Sequence, residues 1–282
     1  MPRRRYAGRM NTHPQPVGAM LRAWREHRRM TQLELALEAD VSTRHVSFLE
    51  TGRSRPSREM IHRLSEELRI PLREQNALLV AAGFAPVHPH RDLDAGDLEP
   101  VREAIDLVLA GHEPYPALAV DRHWNLVAAN GAMDPFLAGV APALLVPPMN
   151  VLRTTFHPDG LAGRIVNLEQ WRAHTLARVR RQGEITGDAA IGELERELRG
   201  YPSPGAELDQ DIEDEYPGMV VPLRLRTEDG ILSFLYTTTL FGSPLDVTVS
   251  ELAIESFFPA DRATASALRR EWDANARSEP AP

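Results

Sequence analysis

Between Val17 and Gly83 the apolar residues recur at helical spacing in five short runs. Val17–Arg29 sets Met20, Leu21 and Trp24 on one face, and Thr31–Ala39 carries Leu33, Leu35, Ala36 and Ala39. Ser42–Glu50 turns Val46 and Leu49 inward, and Ser57–Leu68 does the same with Met60, Ile61, Leu64 and Leu68. Leu72–Ala82 stops at Gly83, a helix-ending signal. Thr31 with Glu34 three residues on has the pattern of a capping box, and Ser57 opens its run directly after Pro56. Five helices joined by such short breaks predict a compact all-α domain over 17–84. Ahead of it, 1–16 reads as a disordered basic arm, with Pro14 and Pro16 stopping any earlier helix.

The periodicity then lapses. Ala85–Pro100 is rich in proline and acids with no apolar repeat, which predicts a linker over 85–97. Its His88 and His90 are too few for a metal site and read as solvated. From 98 to 276 the pattern mixes two periods. "PALAVDRHWNLVAAN" alternates and breaks at Asp121–His123, predicting a hairpin. Helical spacing holds over Leu98–Ala110, Gly131–Leu137, Met149–Thr155, Leu168–Gln182, Ala189–Arg199 and Asp261–Ala274. "MVVPLRLRTEDG", "ILSFLYTTTLFG" and "DVTVSELAIESFF" read as three strands, with turns at Glu228-Asp229-Gly230 and Gly242-Ser243-Pro244. The first and last alternate and are expected half exposed. The middle one is apolar on both faces and is expected at the centre, covered on both sides. The sum is an α+β domain with an antiparallel sheet, followed by a tail over 277–282.

Charge changes the picture more than composition does. The formal net charge is −8, yet residues 1–90 hold 15 Arg against 9 acids, a balance of +6, and the remainder stands at −14. All basic residues are Arg, which fits codon bias better than functional choice. A basic first third on an acidic body suggests a polyanion-binding module, although chance clustering of surface charge gives the same tally. With no cysteine there is no thiol catalysis, disulfide or thiolate metal site. No apolar run approaches a membrane span and the N-terminus lacks the apolar core of a secretory signal, so a cytoplasmic address is the default.

The helical pair Thr31–Ala39 and Ser42–Glu50, joined through Asp40 and Val41, has the form of a helix-turn-helix, whose second helix enters the major groove of duplex DNA. With Val46 and Leu49 inward, Thr43, Arg44, Ser47 and Phe48 project outward. Arg44 suits a guanine, Thr43 a base edge or thymine methyl, and Phe48 apolar contact alone. Gln32, opening the first helix, and Arg53, Arg55 and Arg58, after the second, suit phosphates. Through "TQLELALEADVSTRHVSFLETGRSRPS", residues 17–83 resemble the Xre, or lambda-repressor-like, family. The resemblance implies a backbone contact by Gln32, base-facing positions at Thr43, Arg44 and Phe48, and a buried pair of Arg25 with Glu50. Asp40 departs from the family's common turn glycine, and Phe48 from its polar readers.

The remainder resembles the MmyB-like ligand-binding domain over about 100–275, through "VDRHWNLVAAN", "NVLRTTFHPDG", "VNLEQWRAHTLARVRR" and the three-strand segment. That implies a PAS-like sheet around an apolar pocket, with a fatty-acyl ligand. Trp124, Phe136, Leu152, Phe156, Trp171, Phe234, Tyr236 and Thr238 are the candidate lining, with Arg153 or His157 to meet a carboxylate. The chain is then expected to be a homodimeric DNA-binding regulator with a small apolar effector, no metal, no other cofactor and no catalytic residue. Two alternatives stay open. One is an enzyme with a regulatory head, built on His123, His157, His174, Asp121 and Asp159, which no catalytic motif supports. The other is a dimerisation or partner-binding domain without ligand.

Overall fold

A computed structural model describes residues 16–278 apart from 92, 94, 95, 203–219, 229 and 243. The expected arm, save Pro16, and residues 279–282 of the expected tail therefore lie outside the described residues, as do turn residues Asp229 and Ser243. The chain divides into two units between Pro89 and His90.

The first unit consists of α1 (Val17–His27), α2 (Gln32–Glu38), α3 (Thr43–Glu50), α4 (Arg58–Glu67) and α5 (Leu72–Ala81). Their apolar stripes meet in one core containing Leu21, Trp24, Leu35, Val46, Leu49, Ile61, Leu64 and Leu78. The helix starts are the capped ones. Thr31 and Glu34 form the reciprocal capping box, Ser42 accepts from the His45 N–H, and Ser57 from that of Met60. As α5 does at Gly83, where the Phe84 amide donates to the Leu79 carbonyl, three further helices end in the same closure: the amides of Met30, Val41 and Ile70 donate to the carbonyls of Arg25, Ala36 and Ser65. Each closure puts one residue in the left-handed region, Arg29 at φ 56°, Asp40 at φ 50° and Arg69 at φ 47°. The Asp40 position thus calls for a glycine-like conformation, and aspartate is among the few other residues that adopt it readily.

Gly18 lets α1 lie against the end of α3. A Cβ there would stand 2.2 Å from the Leu49 carbonyl oxygen and 2.9 Å from that of Glu50. Because both obstacles are backbone, nothing can rotate aside. Gly18→Ala is expected to lose about 1–3 kcal/mol as the helices are forced apart, read from thermal unfolding of the first unit. An unchanged melt would mean that α1 shifts freely on α3.

The unit continues beyond α5. The Val87 and His88 amides donate to Asn76 Oδ1 at 3.0 and 3.1 Å, and the Asn76 amide donates back to the His88 carbonyl. His88 also bonds Gln75 through its ring. Part of the expected linker is therefore folded onto α5, and His88 is structural rather than solvated. Isolated apolar periodicity cannot reveal such an asparagine clasp.

The second unit runs α6 (Glu99–Ala110), β1 (Ala117–Val120), β2 (Leu126–Ala129), α7 (Asp134–Leu137), α8 (Val151–Phe156), α9 (Leu168–Thr186), α10 (Ala189–Arg199), β3 (Leu223–Thr227), β4 (Gly230–Leu240), α11 (Val247–Ser250), β5 (Ala253–Pro259) and α12 (Arg262–Ser278). The five strands form one antiparallel sheet in the order β2-β1-β5-β4-β3, a PAS-like arrangement. Two expectations are corrected here. The run expected as a single strand from Asp246 begins as helix, because the Asp246 carboxylate accepts from the Thr248 N–H and caps α11. The centre of the sheet is β5, inserted between β1 and β4, so β4 is not the doubly covered strand. Ile231 and Leu240 at its ends are 51% and 65% exposed, whereas Ile254, Glu255 and Ser256 of β5 are buried.

Alternate residues of β5 serve two layers. On one face Ile254 joins Ala117, Ala119 and the α6 residues Ile105 and Leu109. On the other, Leu118, Val120 and Phe234 pack with Phe156, Trp171, Leu176, Val179 and Leu198 from α8, α9 and α10. Glu255 points into that second, larger layer, which is where the site forms.

Candidate functional site

In the first unit, α2 and α3 present one polar face. Arg44, Arg53 and Arg55 are exposed, and Thr43, Ser47 and Phe48 are half-buried beside them. Phe48 does more than offer a hydrocarbon surface. The guanidinium of Arg44 stands 5.1 Å from its ring centroid and that of Arg53 5.7 Å, so one ring carries two cations. This aligns two long side chains before any partner arrives. Arg58 instead stacks on Phe84, at 5.6 Å.

Beneath the face lies the pair that holds it. Arg25 Nε donates to Glu50 Oε1 at 2.6 Å, Nη2 to Oε2 at 3.0 Å, and Nη1 to the Met30 carbonyl at 2.8 Å. The Glu50 side chain is 2% exposed and that of Arg25 10%. The hydrogen bonds to Glu50 hold the Arg25 guanidinium above its ordinary pKa, against the cost of burial. Gln32, placed at the first turn of α2, donates its amide to Glu50 Oε2 at 2.8 Å. Gln32 is thus a brace between α2 and α3 as well as a polar group at the helix start.

In the second unit an apolar cavity of about 100 Å³ lies between the sheet and α8 and α9. Of the expected lining, Trp124, Phe136, Leu152, Trp171, Phe234 and Tyr236 border it. Four residues fall elsewhere. Phe156 is fully buried within the core but does not border the cavity, although Leu152, one turn earlier on α8, does. Arg153 forms a half-exposed bidentate pair with Glu197, at 2.8 Å for both bonds. His157 accepts from the Asp159 N–H and packs edge-on against Tyr201. Thr238 is exposed and bonds the back of the polar cluster described next.

That cluster was not foreseen. Arg178 of α9 enters the cavity wall and donates through both terminal nitrogens to Glu255, at 2.9 Å for Nη1, and through Nη2 to Thr238 Oγ1 at 2.7 Å. Its guanidinium lies 4.7 Å from the Trp124 ring and 5.5 Å from that of Tyr236. Burial opposes the charge on Arg178, but the hydrogen bonds and charge of Glu255 outweigh it and raise the pKa. His174 bonds the Tyr236 hydroxyl at 2.7 Å, and burial together with the Arg178 charge lowers its pKa, leaving it neutral. Trp124 is held at φ 67°, an uncommon conformation for a large side chain. The Asp121 carboxylate fixes it by accepting the amides of His123 and Asn125, and the Trp124 indole N–H donates to Gln182 at 2.8 Å.

The histidines and aspartates of the enzyme alternative do not converge on one site: Asp121 serves the hairpin, His123 bonds Asp188, His174 bonds Tyr236, and only His157 and Asp159 meet one another. Among the described residues no group of three or more His, Asp or Glu is placed to hold a metal ion. No described helix is long and apolar enough to cross a membrane.

A helix-turn-helix unit followed in the chain by a PAS-like unit with an apolar cavity defines a DNA-binding transcription regulator with a ligand-binding domain. Residues 21–75 match the helix-turn-helix family, and residues 101–270 match the family described as MmyB-like transcription regulator ligand binding domain. The chain belongs to this MmyB-like family. A comparison with curated proteins gives no match.

Proposed function

We propose that the chain works in the cytoplasm as a homodimeric, non-enzymatic regulator that binds an operator through α3 and takes a small apolar effector into the cavity of its second unit. No metal or other cofactor takes part. The cavity carries this reading: aromatic and aliphatic walls with a single cluster of polar anchors are the usual form of a small-molecule site. Its size bears on the effector. At about 100 Å³ it is smaller than the roughly 150 Å³ that accommodates benzene in an engineered core. A short aliphatic group fits, and a long fatty-acyl chain needs the wall to open.

On the DNA side, Arg44 reads a base and Arg53 a phosphate. Arg44→Ala is expected to cost about 1–3 kcal/mol and to relax preference at one base pair. Arg53→Ala weakens all sequences alike and lowers the salt slope by about one contact. Genome-wide footprinting supplies the operator, and quantitative binding to its single-base variants tests both; an unchanged preference in Arg44→Ala removes that residue from the reading role.

Coupling between effector and operator runs through dimer geometry, since two recognition helices must stand about 34 Å apart. Extraction of the purified protein followed by mass spectrometry, with titration of aliphatic compounds into the protein–operator complex, tests the effector. If nothing is bound and no compound binds, the second unit is a dimerisation scaffold.

A further inference from the structure

The cavity has one cation in its described wall, Arg178, and that cation is already matched by a carboxylate. Glu255 sits in the central strand with its side chain 5% exposed, between β1 and β4, and cannot swing out to water. His174 is neutral and bonded to Tyr236, so no second positive charge faces the space. The polar end of the cavity is therefore close to charge-neutral while offering donors and acceptors. Three of the five guanidinium N–H groups are given to Glu255 and Thr238, which leaves Arg178 donors for a further acceptor. The Tyr236 hydroxyl stands beside it.

We propose that the Arg178–Glu255 pair selects an effector with an uncharged polar head, such as a hydroxyl, amide or ester, over one with a free carboxylate. This rests on the proposed role of the cavity as an effector site. An incoming carboxylate meets two unfavourable choices. It can share Arg178 with Glu255, setting two anions against one cation in a poorly solvated space. Or it can displace Glu255, which strands a buried charge. A neutral head accepts from Arg178, donates to Glu255 or Tyr236, and leaves the pair intact. The wall that looks suited to a fatty acid by its arginine is made unsuitable by the glutamate behind it.

The test is calorimetric titration of the full-length protein at pH 8 with butan-1-ol, butanamide and butanoate, three probes sharing one short alkyl length that suits the cavity. Butanol or butanamide is expected to bind at least tenfold more tightly than butanoate. In Glu255→Gln, which keeps the shape and removes the negative charge, butanoate should gain and the discrimination should narrow or reverse. Butanoate binding as tightly as the neutral probes to the unmodified protein overturns the proposal, whatever the variant does. Failure of all three probes, with no bound molecule on extraction, overturns the effector reading of the cavity and the head-group selection with it. Binding of all three to the unmodified protein without discrimination overturns the selection alone.

Discussion

Glu50→Ala is expected to remove about 3–5 kcal/mol from the stability of the first unit. The carboxylate is the shared acceptor of two Arg25 nitrogens and the Gln32 amide, and the substitution leaves the guanidinium with the Met30 carbonyl and a 3.7 Å contact to the half-exposed Glu26. Arg25 cannot escape to solvent cheaply, because its side chain is 10% exposed and is held between α1 and α3. The whole stability of a small domain is about 5–15 kcal/mol, so the loss is a large share of it. Hydrogen exchange on the full-length variant should show α1, α2 and α3 opening sooner while the sheet of the second unit is unchanged. A shift near zero would mean that water reaches the pair and that α3 is held by its apolar contacts alone. Operator binding should fall as well, since the same glutamate braces the start of α2 against the end of the recognition helix.

Phe156→Ala should cost the second unit a similar amount, about 3–5 kcal/mol. Phe156 is 0% exposed and sits at the end of α8 in the larger core, with the Arg172 guanidinium 5.9 Å from its ring. Its truncation removes the full transfer energy of an aromatic ring and leaves a void that α8 can fill only by moving. Four neighbours on that helix, Val151, Leu152, Thr154 and Thr155, border the cavity, so the movement also disturbs the wall. Thermal unfolding of the second unit checks the first effect. A loss under about 1 kcal/mol would mean that α8 collapses into the space without penalty.

The first unit was legible because its information is local. The caps at Thr31, Ser42 and Ser57 and the inward stripes of each helix are all set by residues within a turn or two of one another. The outward positions of α3 follow from Val46 and Leu49 alone. What escaped is tertiary: the two arginines sharing the Phe48 ring, and the Asn76 clasp on Val87 and His88.

In the second unit the elements were readable and their order was not. Glu255 looks exposed in an alternating strand, and only the insertion of β5 between β1 and β4 turns it inward. Strand order depends on contacts between β1 and β5, more than a hundred residues apart. Arg178 did leave a trace. Trp171, Thr175, Arg178 and Gln182 recur at helical spacing on α9, and all four touch either the cavity or Trp124 above it. Arg153 and His157 are the nearest cations in sequence to the expected wall, but each is turned toward partners outside it, Glu197 and Asp159.

Filling the cavity is expected to change the hold on DNA, and linkage makes the change measurable from both directions. The operator dissociation constant of the full-length protein should be determined with and without a saturating cavity ligand, and the ligand's own constant with and without saturating operator. The expected change is roughly 5- to 150-fold, equal in both measurements, and absent in Leu152→Trp, where the indole fills the cavity. A ligand that binds the cavity at measurable affinity and leaves the operator constant unchanged would contradict it.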